Sequence, residues 1–204
     1  HNEVYCEPEK IEEDVEIAPF RDLGFNCPIH RIDHHYAHSL SFWPLGIEPN
    51  LHFVFDGFGD DWMYRSVWRD GKLIDSSKSN GQMMHYSPSL GFIMTRLGAL
   101  LDMQGHYLDQ AGKIMALKAF GPTDCPDVPD VDNIDKLNDL WDFNILERSV
   151  HDQNYTLGFI ATAHEKTEQL FLKHFQEFAQ DGDVIGYSGG IAQNTIINKV
   201  LKDR

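Results

Sequence analysis

Residues 51–72 read Leu-His-Phe-Val-Phe-Asp-Gly-Phe-Gly-Asp-Asp-Trp-Met-Tyr-Arg-Ser-Val-Trp-Arg-Asp-Gly-Lys. Leu51 to Phe55 is a short β-like run that ends in the turn sequence Asp56-Gly57-Phe58-Gly59-Asp60. Trp62 to Trp68 alternates apolar and polar side chains, the period of a strand. Asp70-Gly71 between two such runs signals a hairpin, so Lys72 to Ser77 returns as a third strand. The result is a three-stranded meander whose first turn carries carboxylates and two glycines. A glycine-rich turn at a strand end lets backbone N–H groups approach phosphate oxygens, and a carboxylate there can hold a metal or a water. An ordinary β-turn is built from the same residues.

Upstream of the meander, residues 33–38 read Asp-His-His-Tyr-Ala-His. The segment from Asp33 to Trp43 has helical character, with Asp33 as its cap and Pro44 and Gly46 ending it. His34 and His38 are four residues apart and share one helical face, whereas His35 lies roughly 100° away and serves another role. Two neutral imidazoles on one face can point at a single metal ion. They do not close a coordination sphere, so a further ligand, expected to be a carboxylate, has to come from elsewhere.

Downstream, Ser89 to Asp102 reads as an amphipathic helix with Ser87 or Ser89 as its cap. Ala111 to Ala119 is a second helical piece, and the Asp- and Pro-rich residues 122–139 mark a loop or surface insertion. Gly158 to Gln180 has the clearest helical period, with Phe159, Ala163, Leu170, Phe171, Phe175 and Phe178 on one buried face. Asp183 to Tyr187 is a short strand that feeds into Ser188-Gly189-Gly190, and a helix resumes from Asn194 to Lys202. A strand-to-helix corner presents helix N–H donors where a nucleotide phosphate or ribose fits, with Asn194 one turn on. A corner that needs glycines for packing would look the same. Asp109, Gly112 and Lys113 form a last cluster, with Asp109 as a base or hydroxyl contact and Lys113 as a point charge near phosphate. A solvated helix start is the simpler reading of that cluster.

The chain has 204 residues, 42% of them hydrophobic, with 13 Phe and 4 Trp, enough for a real core. A formal charge of −15 argues against a nucleic-acid groove, which needs clustered Lys and Arg. Three cysteines, Cys6, Cys27 and Cys125, are odd in number and not in CxxC pairs, so they form no disulfide framework. No apolar run approaches the roughly 20 residues of a membrane span. The expected location is cytoplasmic, with no membrane partner. Residues 1–30 are an acidic lead-in, and residues 31–204 hold the catalytic-type segments. The chain begins at a histidine, so a fragment of a longer protein is expected.

The glycine turn before a meander resembles the phosphate hairpin of the sugar-kinase, heat-shock-protein and actin ATPase architecture. Taken in order, the segments resemble the carbamoyltransferase family of nodulation and antibiotic-tailoring enzymes, related in their catalytic domain to the hydrogenase-maturation carbamoyltransferase and the tRNA threonylcarbamoyl-adenosine synthase. The resemblance rests on Asp33 to Ser39, Asp56 to Asp60, Lys113 to Gly121 and Gly189 to Asn194. It departs from the family pattern at Ala116 (usually Gly), at Lys118 and Phe120 (usually Ala and Tyr), and at Gln193, where a small or apolar residue is common.

The resemblance implies a partial actin-like α/β domain, with iron(II) or another divalent metal on His34 and His38. It also implies ATP and carbamoyl phosphate as co-substrates, a carbamoyl-adenylate intermediate and a small-molecule hydroxyl acceptor. Asp56, Gly57, Gly59, Ser188, Gly189, Gly190 and Asn194 are then expected to hold the nucleotide or the adenylate, with Asp109 and Lys113 catalytic. The family's first strand and hairpin are expected to precede residue 1. The segment that supplies a third metal ligand, and the adenylate-forming domain, are expected to lie beyond residue 204. On this basis the chain alone is expected to bind metal weakly or not at all, and to be inactive. Two alternatives are a non-catalytic nucleotide-binding or interaction module, and threonylcarbamoyl transfer to tRNA, which the acidic charge disfavours.

Overall fold

A computed structural model describes residues 9–10, 18–28, 30–79 and 87–203. Most of the acidic lead-in, Cys6 included, lies outside the described residues. Strand β1 (Glu9–Lys10) and strand β2 (His30–Arg31) pair antiparallel, with helix α1 (Ala18–Asp22) between them. Helix α2 (His34–Ser39) carries the histidines and leads through a 3-10 turn at Trp43–Leu45 into strand β3 (Leu51–Phe55). Strand β4 (Met63–Arg69) and strand β5 (Lys72–Lys78) complete the meander. Asp70 and Gly71 have φ of 50° and 73°, the left-handed pair that a two-residue hairpin turn requires and that Asp-Gly tolerates.

Four helices and a long fifth come next: α3 (Leu90–Leu100), α4 (Tyr107–Leu117), α5 (Leu137–Leu140), α6 (Phe143–Ser149) and α7 (Gln153–Phe178). Strand β6 (Ile185–Ser188) and helix α8 (Thr195–Lys202) close the chain. The sheet order is β5-β4-β3-β6, with β3 antiparallel to β4 and parallel to β6. The fold is thus mixed α/β, with a four-stranded mixed sheet. The sequence reading missed α6, whose start is capped by Asp142 accepting from Asn144 N. It also took residues 122–139 as a surface loop. The chain turns inward at Ile134, and Leu137, Leu140 and Trp141 are core. Asp135 pins that turn to the sheet by accepting from Tyr64 Oη and from Arg65 and Ser77.

β3 is buried on both faces because its alternate side chains enter two layers. Leu51, Phe53 and Phe55 face the large core, where Phe53 stacks on Phe175 at 3.8 Å and Phe55 meets Phe171 at 4.6 Å. Each such ring contributes about 1.5–3 kcal/mol relative to exposure. Val54 points to the other face and, with Trp68 and Leu73, packs under Tyr36 of α2. The sheet therefore holds α2 on one side and α7 on the other, and the tips of β3 and β6 lie between them. No helix among the described residues is long and apolar enough to cross a membrane.

β6 is tied to the rest by polar contacts as well as by the ladder. Arg69 grips both oxygens of Asp183 at 3.0 Å, and Asn50 donates to the same carboxylate. The hydroxyl of Ser188 donates to the His38 carbonyl at 2.9 Å and so accepts from His52 Nε2 at 2.8 Å. His52 Nδ1 is left as a buried acceptor without a partner. Burial, and secondarily the nearby His38, lowers the His52 pKa from 6.5 to about 4. Burial likewise lowers His35 from 6.5 to about 4.

Both folded values lie below the unfolded one, so acidification protonates the unfolded chain first. This stability is fully present above pH 6.5 and is lost as pH falls from 6.5 towards 4, at up to about 1.4 kcal/mol per pH unit per histidine. Urea midpoints measured at pH 7.5 and pH 5 should show this loss in the native chain. His52→Gln should show a visibly smaller drop between the two pH values.

Candidate metal centre

α2 forms where it does because its first turn is doubly capped. Asp33 accepts the Tyr36 N–H at 2.8 Å, and Asp60 accepts the His34 N–H at 2.9 Å. Both carboxylates satisfy donors that a helix start leaves unpaired. The helix then turns His34 and His38 to one side, with ring centroids 4.8 Å apart. Both Nε2 atoms converge on the same oxygen, Oδ2 of Asp56, at 2.7 and 3.2 Å. The other oxygen, Oδ1, accepts from Gly57 N at 2.8 Å and Gly190 N at 3.1 Å.

Asp56 is thus clamped by the tips of two strands and aimed at two imidazoles. Burial alone would raise its pKa. The bonds from His38, His34, Gly57 and Gly190 outweigh that and hold the carboxyl far below the usual carboxylate range. An anion with one oxygen fixed and the other shared by two imidazoles is a preformed ligand set. The three ligand atoms lie within 4.8 Å of one another. Tetrahedral bonds of about 2.0–2.2 Å would place ligand atoms about 3.3 Å apart, close to the His38 spacing and a small opening from the His34 spacing. Two imidazoles and one carboxylate suit iron(II) or zinc. The residues fit a divalent ion, and Asp56 is a third candidate donor within the chain.

His35 serves another role, as its position on the helix predicts. It is fully buried, and its Nδ1 meets Ser66 Oγ at 2.8 Å, a hydroxyl that also accepts from Trp68 Nε1.

A cleft of about 630 Å³ opens beside Asp56. It brings together three of the segments singled out in the sequence: Asp56 and Gly57, Asp109 and Gly112, and Gly190 and Asn194. The remaining predicted residues are placed differently. Lys113 donates its Nζ to the Gln104 carbonyl and does not line the cleft. Ser188 faces α2 and His52, not the cleft. Gly59 packs against the His34 and His35 rings. The N–H groups of Gly57 and Gly190, expected to cradle phosphate, are taken up by Asp56. The two glycine turns do share a site, but in this structure they hold a carboxylate.

Gly189 has φ of 93°, and a Cβ there would lie 2.2 Å from the Phe55 carbonyl oxygen. The sequence left open whether this corner needs glycine for packing or for a ligand, and at Gly189 packing is sufficient. At Gly190 a Cβ would instead meet Asp56 Oδ1 at 2.8 Å. Asn194 caps α8, its Oδ1 accepting from Ile196 N and Ile197 N at 3.1 Å. That fixes its amide, so Nδ2 faces His164 Nε2 at 3.3 Å. His164 in turn meets Glu168 at 2.7 Å, and Lys118 pairs with the same carboxylate. Lys118 is thus the end of a polar chain behind the cleft wall.

The sequence reading missed that chain. It also missed the tie from Ser89, whose hydroxyl donates to the Asp56 carbonyl at 2.7 Å instead of capping α3. The helical spacing of His164 and Glu168 was the available signal for the first. Comparison of the chain with protein-family models, with curated proteins and with solved structures returned no match.

Substitution at the two neighbouring glycines should separate fold from site. Gly189→Ala should lower stability by at least about 1–2 kcal/mol, read in a denaturant titration, because its backbone conformation and the Phe55 carbonyl both refuse a side chain. Gly190→Ala should cost less stability but displace the Asp56 carboxylate. Zinc affinity, measured by competition with a chelating dye, should then fall about 10- to 100-fold, the usual effect of disturbing a ligand's support.

Proposed function

We propose that this chain is the metal-bearing part of an ATP-dependent O-carbamoyltransferase, passing a carbamoyl group from carbamoyl phosphate to a hydroxyl of a small-molecule acceptor. The observation that carries the reading is the meeting of His34, His38 and Asp56 at one point beside an open cleft. The order of segments resembles that enzyme family. The sheet order, a meander continued by a parallel strand, is compatible with an actin-like ATPase domain.

His34 and His38, through Nε2, and Asp56, through Oδ2, would hold the ion. When bound, it supplies a Lewis acid for a carbonyl or phosphoryl oxygen. The chain's own residues do the positioning. Gly57 and Gly190 keep Oδ1 of Asp56 fixed, so Oδ2 stays directed at the imidazoles. Ser188 holds the His38 carbonyl, which sets the angle of α2. Asp109, the second carboxylate on the cleft wall, is suited to accept the proton of an attacking hydroxyl.

No Lys or Arg among the described residues lines the cleft. The nucleotide part of the proposal therefore rests on the resemblance, and the metal part has the geometric support. The alternative of tRNA as acceptor is disfavoured by the same acidic lining and by the charge of −15.

Elemental analysis after incubation with iron(II) or zinc and desalting should find about one ion per chain. His34→Ala, His38→Ala and Asp56→Ala should each remove it, whereas His35→Ala should keep it despite a loss of stability. Acidification should release the ion, because only neutral imidazoles ligate. A full metal complement in the His38→Ala protein would overturn the assignment. Carbamoyl transfer, assayed with ATP and carbamoyl phosphate in whatever longer protein contains this chain, should be lost in the same three variants.

A further inference from the structure

The cleft beside Asp56 combines a carboxylate and glycine tips with an aromatic pair. The rings of Phe58 and Phe92 are stacked next to Gly57, 5.7 Å apart between centroids and 7° from parallel, and Met115 also lines the cleft. Trp62 stands against Phe58 at 5.6 Å. Phe58 and Trp62 remain 48% and 43% exposed. Large rings held open at the mouth of a cavity are apolar surface in want of a partner.

The charge pattern restricts that partner. Among the described residues, Asp56 and Asp109 are the only ionisable groups lining the cleft, and Lys113 is turned away to the Gln104 carbonyl. In the metal-free chain, an anionic ligand would meet carboxylates with no Lys or Arg in the lining to offset them. The remaining polar lining, Thr95, Gln193 and Asn194, is uncharged and suits single hydroxyls or carbonyls. The cleft volume fits one small molecule.

We infer that the cleft takes an uncharged aromatic hydroxy compound, its ring against Phe58 and Phe92 and its hydroxyl towards Asp109. This names the class of acceptor for the proposed transfer, and it rests on that reading for every step after binding. Binding itself does not depend on it. Gln193, where the resembled family has a small or apolar residue, then becomes part of the acceptor's polar contacts.

Equilibrium dialysis of the chain in metal-free, nucleotide-free buffer tests the inference with 2-naphthol, 2-naphthyl phosphate and 2-naphthylmethylamine. Naphthol should bind saturably at one site, and the phosphate ester at least tenfold more weakly. Phe58→Ala and Phe92→Ala should each weaken naphthol binding about five- to tenfold, the scale of a lost aromatic contact. Phe58 is half exposed, so its replacement keeps the test valid if Phe92→Ala unfolds. Asp109→Asn should narrow the gap between naphthol and the phosphate ester. Equal or tighter binding of the phosphate ester, a tenfold preference for the amine, or unchanged naphthol affinity in Phe58→Ala would each overturn the inference. Because metal and nucleotide are absent from this assay, its failure and the failure of the carbamoyltransferase reading are separate results.

Discussion

The carboxylate of Asp56 is the point on which the rest of the site depends. It directly follows β3, a strand buried on both faces, which leaves the next residue little freedom. Its two oxygens have separate duties: one is bonded by backbone N–H groups from two strand tips, the other faces two imidazoles from α2. Loss of either pair would leave a partly buried anion uncompensated, an expensive arrangement. The glycine turns, the capped helix and the tie from Ser89 to the Asp56 carbonyl all converge on this group. The cleft takes part of its polar lining from the same residue.

Behind the cleft, the order is maintained by side chains of which only Asn194 reaches it. Asn194, His164, Glu168 and Lys118 form a continuous line from the cleft wall to α7 and the turn after α4. Burial pushes the Glu168 carboxyl up, but His164 and Lys118 bring it below its usual value. A buried polar chain of this kind is tolerable only when each member is paired. Here each is, and the amide of Asn194 is held in one orientation as a result.

Much of the fold was legible because local signals and the hydrophobic period agreed. Leu51–Phe55, the Asp70-Gly71 turn and the phenylalanine face of α7 are set by alternation, turn chemistry and helical spacing. The pairing of His34 with His38, and the separate role of His35, come from 3.6 residues per turn. The parts that stayed hidden depend on contacts between distant segments. Gly57 and Gly190 read as phosphate donors because sequence shows a donor but not its existing partner. Lys113 read as a phosphate contact, yet the Gln104 carbonyl takes its charge. Asp56 was read as a nucleotide residue, and only the three-dimensional meeting of α2 with β3 shows it beside the imidazoles. Residues 134–141 were hidden by a composition that looks like surface until Ile134 and Trp141 are placed in the core.

The bond from Ser188 to the His38 carbonyl joins residues 150 positions apart, and the clamp of Gly190 on Asp56 spans 134. Contacts this far apart in sequence form late, because the loop between them has to be closed before they contribute. During synthesis the histidine helix and the meander leave the ribosome long before the strand that fixes them. At that stage the imidazoles and Asp56 exist, but nothing holds the carboxylate in register with them. Any ion that required all three donors at their final spacing would therefore be captured only once β6 has docked.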